Sequence, residues 1–274
     1  MILKLAALVL VVGAFFSENA LAADDMKLVP SSVSYKISMI SAQNSQVQDV
    51  EGGMVDTSAI TCEGYKVSQQ MILRIIPRQG GRAAVINSAG TMLEGLDGLS
   101  FRYSQKTTVN GRLTESTSGA AALTGVGQGG QARIAGKPEP VELPAGTLFP
   151  VAMTNRMLQA AVAGQTRVET RLFDGTTSTP NGLSAIIATL TKPQDLTVPA
   201  DKVGLAVGSL VWPVATAYYA EDGSAAPYME NRIILMPNGS AETMYMDIDG
   251  IKLRLDLAEY KKLPVPECPA VGRH

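Results

Sequence analysis

The chain has 274 residues with 23 basic and 25 acidic side chains, which gives a net charge of −2 and an isoelectric point of about 5.6. This balance argues against nucleic-acid binding, because proteins that bind a phosphate backbone carry an excess of Lys and Arg. The length is sufficient for one hydrophobic core or for two small ones.

The N-terminus is typical of a secretory signal peptide over residues 1–22. Lys4 forms its basic start, an apolar run of about a dozen residues follows, and the small residues around Ala22 fit the cleavage rule. This run is shorter than the ~20 residues of a transmembrane helix, so a retained membrane anchor is the weaker alternative. We therefore expect cleavage near Ala22 and a periplasmic mature chain, 23–274, that forms a single domain without a transmembrane segment.

Most of the mature chain consists of short runs in which apolar and polar residues alternate, the pattern of a strand with one buried face. The clearest runs are 33–39, 65–76, 99–104, 166–173, 183–190, 211–219 and 231–236. Asn-Gly or Asp-Gly, which favours two-residue hairpin turns, begins at positions 97, 110, 174, 181, 222, 238 and 249. The sequence therefore predicts a mostly all-β fold with a large antiparallel sheet of a dozen or more strands.

A Gly- and Ala-rich segment, residues 119–136, contains Gly125, Gly127 and Gly130 in the spacing of a dinucleotide-binding fingerprint. That fingerprint follows a strand and opens a helix within a βαβ unit. No helical pattern follows here, so we interpret the segment as a loop or hairpin and expect no dinucleotide cofactor.

One helical pattern interrupts the strands, over residues 150–163. Met153 and Met157 belong to an apolar stripe at helical spacing. Pro150 suits the first helical turn, and Gly164 suits the position just past the end. The pattern predicts an amphipathic helix whose Met-rich face packs in the core; a flexible ligand-contacting patch is the alternative.

Near the C-terminus, Asp247 and Asp249 precede Gly250 between two alternating runs. This arrangement predicts a β-hairpin with a two-residue turn, in which Lys252 and Arg254 can oppose the two aspartates across the strands. The alternative, an EF-hand calcium loop, requires a third ligand and a Glu six residues after the Gly, and both are missing. We therefore expect no metal ion at this turn.

The two cysteines, Cys62 and Cys268, both follow the signal segment. A single pair in an exported chain predicts one disulfide, with two free thiols as the alternative. Such a bond would tie an early strand to the C-terminal tail. The preceding strand, residues 251–257, is then expected to form the exposed end of the sheet.

The usual catalytic motifs are missing from the sequence. The single histidine is His274, the last residue, which excludes Ser-His-Asp and Cys-His catalysis and His-based metal sites in their usual forms. A two-carboxylate glycan hydrolase remains an alternative, although glycan sites usually offer aromatic platforms and the chain has one tryptophan, Trp212. We predict no catalytic residues, no cofactor and no enzymatic activity.

Several blocks resemble a known family in their order and spacing. They are LVPSSVSYKISM (28–39), CEGYKV (62–67), LPAGTLFPVAMTNRML (143–158), LFDG (172–175), WPVATAYY (212–219), PNG (237–239) and Cys268. Together they resemble the EipB-like envelope-integrity family of alphaproteobacterial periplasmic proteins. The chain departs from the family pattern at Ser31, where a histidine is expected.

The resemblance implies a strongly curved antiparallel sheet, described as a β-spiral, with the helix lodged in its concavity. It also implies an internal disulfide between Cys62 and Cys268 and a role in maintaining the cell envelope. Three functions follow as hypotheses. The first is a scaffold or interaction protein with periplasmic envelope partners, the second a carrier of a lipid or lipoprotein acyl chain, and the third an envelope-glycan hydrolase.

Overall fold

The structure is a computed structural model that describes residues 26–268, apart from 44, 45, 177, 178, 180, 223 and 249. The predicted signal peptide and His274 lie outside the described residues. The strands are β1 (Ser31–Ala42), β2 (Val47–Thr61), β3 (Gly64–Pro77), β4 (Ala84–Glu94), β5 (Ser100–Val109), β6 (Arg112–Leu123), β7 (Gly130–Ile134), β8 (Val141–Leu143), β9 (Thr147–Leu148), β10 (Arg167–Phe173), β11 (Leu183–Leu190), β12 (Gln194–Asp195), β13 (Leu210–Ala220), β14 (Met229–Leu235), β15 (Ala241–Ile248) and β16 (Ile251–Lys262). One α-helix, α1 (Pro150–Val162), and a 3-10 helix (Ala200–Val203) complete the described elements. None of the helices described is long and apolar enough to cross a membrane.

The strands form one 16-stranded sheet, which confirms the predicted all-β fold. One antiparallel meander runs from β8 back to β1, and a second runs from β16 through β15, β14, β13 and β11 to β10. The first and last strands, β1 and β16, pair antiparallel and join the two meanders. Strand β9 is added beside β10 in parallel orientation, and β12 pairs with β13 alone.

The LPAGT segment connects the two edges of the sheet. Strand β8 is one edge and β9 is the other, and only Pro144, Ala145 and Gly146 lie between them. The turn is closed by Thr147, whose backbone N–H and hydroxyl both donate to the Pro144 carbonyl, at 3.2 and 2.7 Å. Gly146 has φ +80°, which a tight turn of this kind requires at its third position. The segment therefore brings the sheet almost to closure.

The two ends of the sheet overlap, as a spiral requires. Leu172 and Phe173 are neighbours on opposite faces of β10, and both are buried. Leu172 packs with the helix cluster, whereas Phe173 packs edge-on against Phe101 and Tyr103 of β5. The concave face of β5 thus covers the outer face of β10, which agrees with the implied β-spiral.

Helix α1 lies in the concavity, as the resemblance implied. Its buried side chains are Val151, Met153, Met157, Leu158, Ala160 and Ala161, so the Met-rich stripe packs in the core as predicted. Val151 packs against β3, and the other five contact apolar side chains of β10, β11, β13 and β14. Pro150 occupies the first turn, and Gly164 follows the end with φ +68°.

The Gly-rich segment forms a hairpin connection, as predicted. Residues 124–129 join β6 to β7, which pair antiparallel. The Gln128 N–H donates to the Gly125 carbonyl at 3.0 Å, and Thr124 N–H donates to Gly129 at 2.9 Å. A strand rather than a helix follows, so the spacing of the glycines is coincidental.

The predicted β15–β16 hairpin is confirmed. Ile248 and Ile251 pair across the turn, Asp247 opposes Lys252, and the Gly250 N–H donates to Asp247 Oδ1 at 2.9 Å. Asp249 lies outside the described residues. The predicted opposition of Arg254 to an aspartate is wrong, because Arg254 faces Tyr245 and forms its ion pair with Asp256 of its own strand, at 2.8 Å.

We expect the Asp247→Asn, Asp249→Asn double variant to keep the metal content of the wild type and to lose at most about 1–2 kcal/mol of stability. The Asp247 carboxylate already accepts a backbone hydrogen bond, and an Asn carbonyl can replace it. Elemental analysis and urea unfolding check these expectations. Calcium that is bound to the wild type and lost from the variant would contradict the hairpin interpretation.

The prediction that residues 251–257 form an exposed end of the sheet is wrong. Strand β16 pairs with β15 on one side and with β1 on the other. Leu255, on the concave face of β16, is directly opposite Ile37 of β1, and both are buried. Contact between these neighbouring apolar side chains, and their burial from water, stabilises the pairing of the first strand with the last.

Candidate functional site

The concave face of the sheet is filled at one end by helix α1. Leu28, just before β1, donates its N–H to Asn155 Oδ1 of the helix at 2.7 Å. The helix therefore lies at the end where β1 begins. The turns that join β1 to β2, β3 to β4 and β15 to β16 lie at the opposite end. This opposite end is the mouth of the concavity.

The mouth is lined by apolar side chains that are only partly buried. Met244 and Met246 are directly opposite Leu255 and Leu253, so they lie on the concave face. These side chains pack, partly buried, against the apolar cluster of β1, β2, β3 and β16. They are Met39, Met71, Ile75, Ile86, Met244, Met246, Ile248 and Ile251. We call this group the methionine lining; its flexible, polarisable side chains can adapt to apolar ligands.

Glu94, the last residue of β4, holds the helix in place. Its two carboxylate oxygens accept hydrogen bonds from the N–H groups of Val151 and Ala152, each at 2.7 Å. The residue is 1% exposed, and burial raises the pKa of its carboxyl from 4.5 to about 7. Phe149 at the N-cap position offers no side-chain hydrogen bond, so Glu94 supplies the cap from a distant strand.

A second buried carboxylate lies at the same end of the sheet. Glu242 of β15 accepts hydrogen bonds from the N–H groups of Thr197 and Val198, at 2.7 and 2.9 Å. Nearby, Asn238 donates its side-chain amide to the Val203 carbonyl at 3.0 Å. These contacts fasten the connection between β12 and β13 over the apolar cluster of Val203, Val211 and Met236. Both carboxylates, Glu94 and Glu242, therefore act as hydrogen-bond acceptors for backbone N–H groups.

The structure brings the two predicted disulfide residues together. The Cα atoms of Cys62 and Cys268 are 5.4 Å apart, and the sulfurs are at bonding distance. Cys62 lies in the β2–β3 turn. The tail leaves β16, donates the Leu263 N–H to the Pro30 carbonyl at 2.9 Å, and crosses the start of β1 to reach this turn. This geometry supports the predicted pairing.

Trp212 lies at the edge of the helix cluster. Its side chain is half-buried in β13 and packs at the rim of the helix cluster, beside Val214 and Leu235. No group of three or more potential metal ligands occurs among the described residues. These observations add no support to the hydrolase hypothesis.

Two clefts lie on the outer face of the sheet. One, of about 600 Å³, lies beside Cys62 and contains Lys66 and Arg102. The other, of about 490 Å³, crosses β13 to β16 and contains Glu230 and Lys252. Because charged side chains line both clefts, neither matches the apolar cavity that a lipid carrier needs.

Sequence comparison connects this architecture to a family. The sequence model of the EipB-like family matches residues 22–264. The cell envelope integrity protein EipB of Brucella abortus (strain 2308) is 28% identical over 248 residues, which cover 87% of this chain and 86% of the relative. The crystal structure of a beta-barrel-like protein of domain of unknown function DUF1849, also from Brucella abortus, superposes with a TM-score of 0.77 at 25% identity, covering 87% of this chain and all of the other. The chain belongs to the EipB-like family.

Proposed function

We propose that the protein supports the integrity of the cell envelope from the periplasm, as a non-enzymatic interaction protein that binds its partner at the mouth of the concave face. Family membership supports the envelope role, since the curated relative is named for it. The observation that carries the choice of surface is the methionine lining, because partly exposed apolar side chains grouped in a concavity mark a binding surface.

The buried carboxylates favour a binding role over hydrolysis. Glu94 and Glu242 each accept two backbone N–H hydrogen bonds and lie at the closed end of the sheet. A hydrolase needs two carboxyl groups that face a substrate from opposite sides. The absence of enzymatic activity stays a prediction.

A second candidate function is the transport of a lipid or of a lipoprotein acyl chain. The methionine lining favours it, because a flexible apolar wall fits a hydrocarbon chain without a fixed shape. The helix occupies the closed end, so such a chain would lie at the mouth.

Two substitutions on neighbouring residues of β15 test the proposed surface. Met246 faces the concavity and Tyr245 faces outward. In a strain that lacks the gene, we expect wild type and Tyr245→Glu to restore resistance to detergent, and Met246→Glu to fail, because it places a charge in the apolar lining. Circular dichroism and melting temperature check that both variants fold.

Affinity purification from the periplasm distinguishes the two candidate functions. A protein that co-purifies with wild type and Tyr245→Glu but not with Met246→Glu supports the interaction role, whereas a lipid in the organic extract with the same dependence supports the carrier. Equal complementation by the two folded variants would contradict a functional role for the mouth.

A further inference from the structure

The turn at the end of β10 begins with Asp174, which follows the concave-facing Leu172 by two residues and so continues the same face. Asp174 and Gly175 begin the connection from β10 to β11, and the Asp174 N–H donates to the Gly182 carbonyl at 3.2 Å. Gly175 has φ +70°, and a Cβ there would overlap the ring of Tyr103. The turn therefore packs its backbone directly on Tyr103 of β5, which holds Asp174 in a defined place.

The carboxylate of Asp174 lacks a positive partner within the part of the chain that the structure describes. Oδ1 accepts the Thr176 N–H at 2.9 Å, and none of the ion pairs found there uses Asp174. Burial raises the pKa of this carboxyl, so the ionised form is poorly solvated. A cation brought by a ligand would relieve this cost.

Tyr218 of β13 and Tyr228, just before β14, pack against each other. The ring centroids of Tyr218 and Tyr228 are 6.3 Å apart with the planes inclined at 58°, and both side chains are half-buried. The Ser184 hydroxyl shares a 2.8 Å hydrogen bond with the Tyr228 hydroxyl, and the Asn231 amide donates to Tyr218 at 3.3 Å. These bonds hold both rings in orientation.

Strand register brings the tyrosine pair to the end of β10, where Asp174 lies. Ser184, whose hydroxyl bonds to that of Tyr228, is directly opposite Leu172 of β10, and Asp174 follows Leu172 by two residues. The negative charge of Asp174 also contributes, less than burial does, to the raised pKa of both tyrosines. Tyr218 is directly opposite Met229, which lies two residues before Asn231, and Asn231 is directly opposite Met246 of the methionine lining. The polar cluster and the methionine lining therefore belong to one continuous concave surface.

We propose that Asp174, Tyr218 and Tyr228 form a binding site for an organic ammonium group. A carboxylate beside two inclined aromatic rings supplies both the counter-charge and the ring faces that attract such cations. An apolar part of the same ligand would extend along the methionine lining. This inference deepens the proposed function, since it rests on the concave face being the binding surface.

Calorimetric titration of the mature protein with choline tests the site. Its uncharged carbon analogue, 3,3-dimethyl-1-butanol, has the same shape and serves as the charge control. Decyltrimethylammonium below its micelle concentration adds an apolar tail, which distinguishes a lipid-like ligand from a small free cation. We expect choline to bind, the analogue to bind at least about tenfold more weakly, and the tailed cation to bind more tightly than choline.

Four variants assign the binding to named side chains. Asp174→Asn keeps the acceptor for Thr176 and should weaken choline binding at least about tenfold without lowering the melting temperature. Tyr228→Leu should weaken binding, and Tyr228→Phe, which keeps the ring, should retain most of it. Glu230→Gln removes an exposed charge from the outer face of β14, two residues after Tyr228, and should change nothing.

Several results would overturn the inference. They are no choline binding by wild type at tens of millimolar, equal binding of the uncharged analogue, and unchanged binding in Asp174→Asn. Wild-type affinity in Asp174→Asn together with a lower melting temperature would assign Asp174 to the turn alone. If choline fails while purification still recovers a partner that depends on Met246, this inference fails and the proposed function stands. If choline binds while Met246→Glu still complements, the concave site exists but is not the basis of the envelope role.

Discussion

Replacement of Cys62 or Cys268 by serine is expected to lower the melting temperature by about 10 °C or more. The bond closes a loop with a sequence separation of 206 residues, and such a closure removes roughly 5 kcal/mol of denatured-state entropy as an upper figure. A loss of about 3–5 kcal/mol at about 2–4 °C per kcal/mol gives the expected shift for a chain of this size. Differential scanning calorimetry of the oxidised and reduced protein measures it.

The disulfide joins an exposed tail to a sheet that is already paired at this point. The tail beyond Leu263 is exposed up to Cys268 and buries little apolar surface of its own. Strand β16 is already paired on both sides, so the disulfide contributes mainly by restricting the unfolded chain. The effect should therefore appear as a stability loss with little change in the folded structure.

Matched variants distinguish the effect of losing the disulfide from the effect of altering the tail sequence. Each single cysteine variant, the double variant and the reduced wild type should melt alike, because each lacks the same bond. Glu267→Ser alters the neighbouring exposed position without breaking the bond and should melt like the wild type. Two alkylatable thiols in protein taken directly from the periplasm would refute the disulfide outright.

Local patterns predicted the elements that depend on local forces. The alternation before and after Gly250 predicted β15, β16 and their two-residue turn, because the period of the side chains and the positive φ of the glycine are set by neighbouring residues. Pro150 and Gly164 bounded the helix for the same reason. The strand number followed from repetition of such signals along the chain.

Contacts between distant segments could not be predicted in this way. The pairing of β1 with β16 depends on two apolar faces of ordinary composition, and nothing local shows that they belong together. The closure at residues 144–146 likewise depends on where the two sheet edges finally lie. The polar groups of the concavity were also missed. Glu94 did leave a signal, because it continues the concave-facing positions of β4 after Met92, where an apolar residue is expected.

The Glu94 carboxylate is expected to make stability depend on pH near neutrality. Its pKa is about 7 in the folded protein and 4.5 ordinarily, so the folded state binds the proton more tightly. The free energy of unfolding should therefore fall as the pH rises from about 4.5 to about 7 and level off above this range. Between pH 5 and pH 8 the contribution of this group is about 2–3 kcal/mol.

Comparison with Glu94→Gln isolates that contribution. Asp56 and Asp174, whose pKa values are also raised by burial, affect both proteins alike and cancel in the difference. We expect urea unfolding to show wild type gaining about 2–3 kcal/mol over Glu94→Gln when the pH is lowered from 8 to 5. Glu259→Gln, which removes an exposed carboxylate, should follow the wild type.

Glu94→Ala should be less stable than wild type at every pH in this range. It leaves the N–H groups of Val151 and Ala152 buried without an acceptor, which costs about 2–4 kcal/mol. The loss should centre on α1, so amide exchange in residues 150–162 should accelerate more than exchange in β15. If the two proteins showed parallel pH profiles and equal protection of the helix, Glu94 would not be the group that ties helix α1 to the sheet.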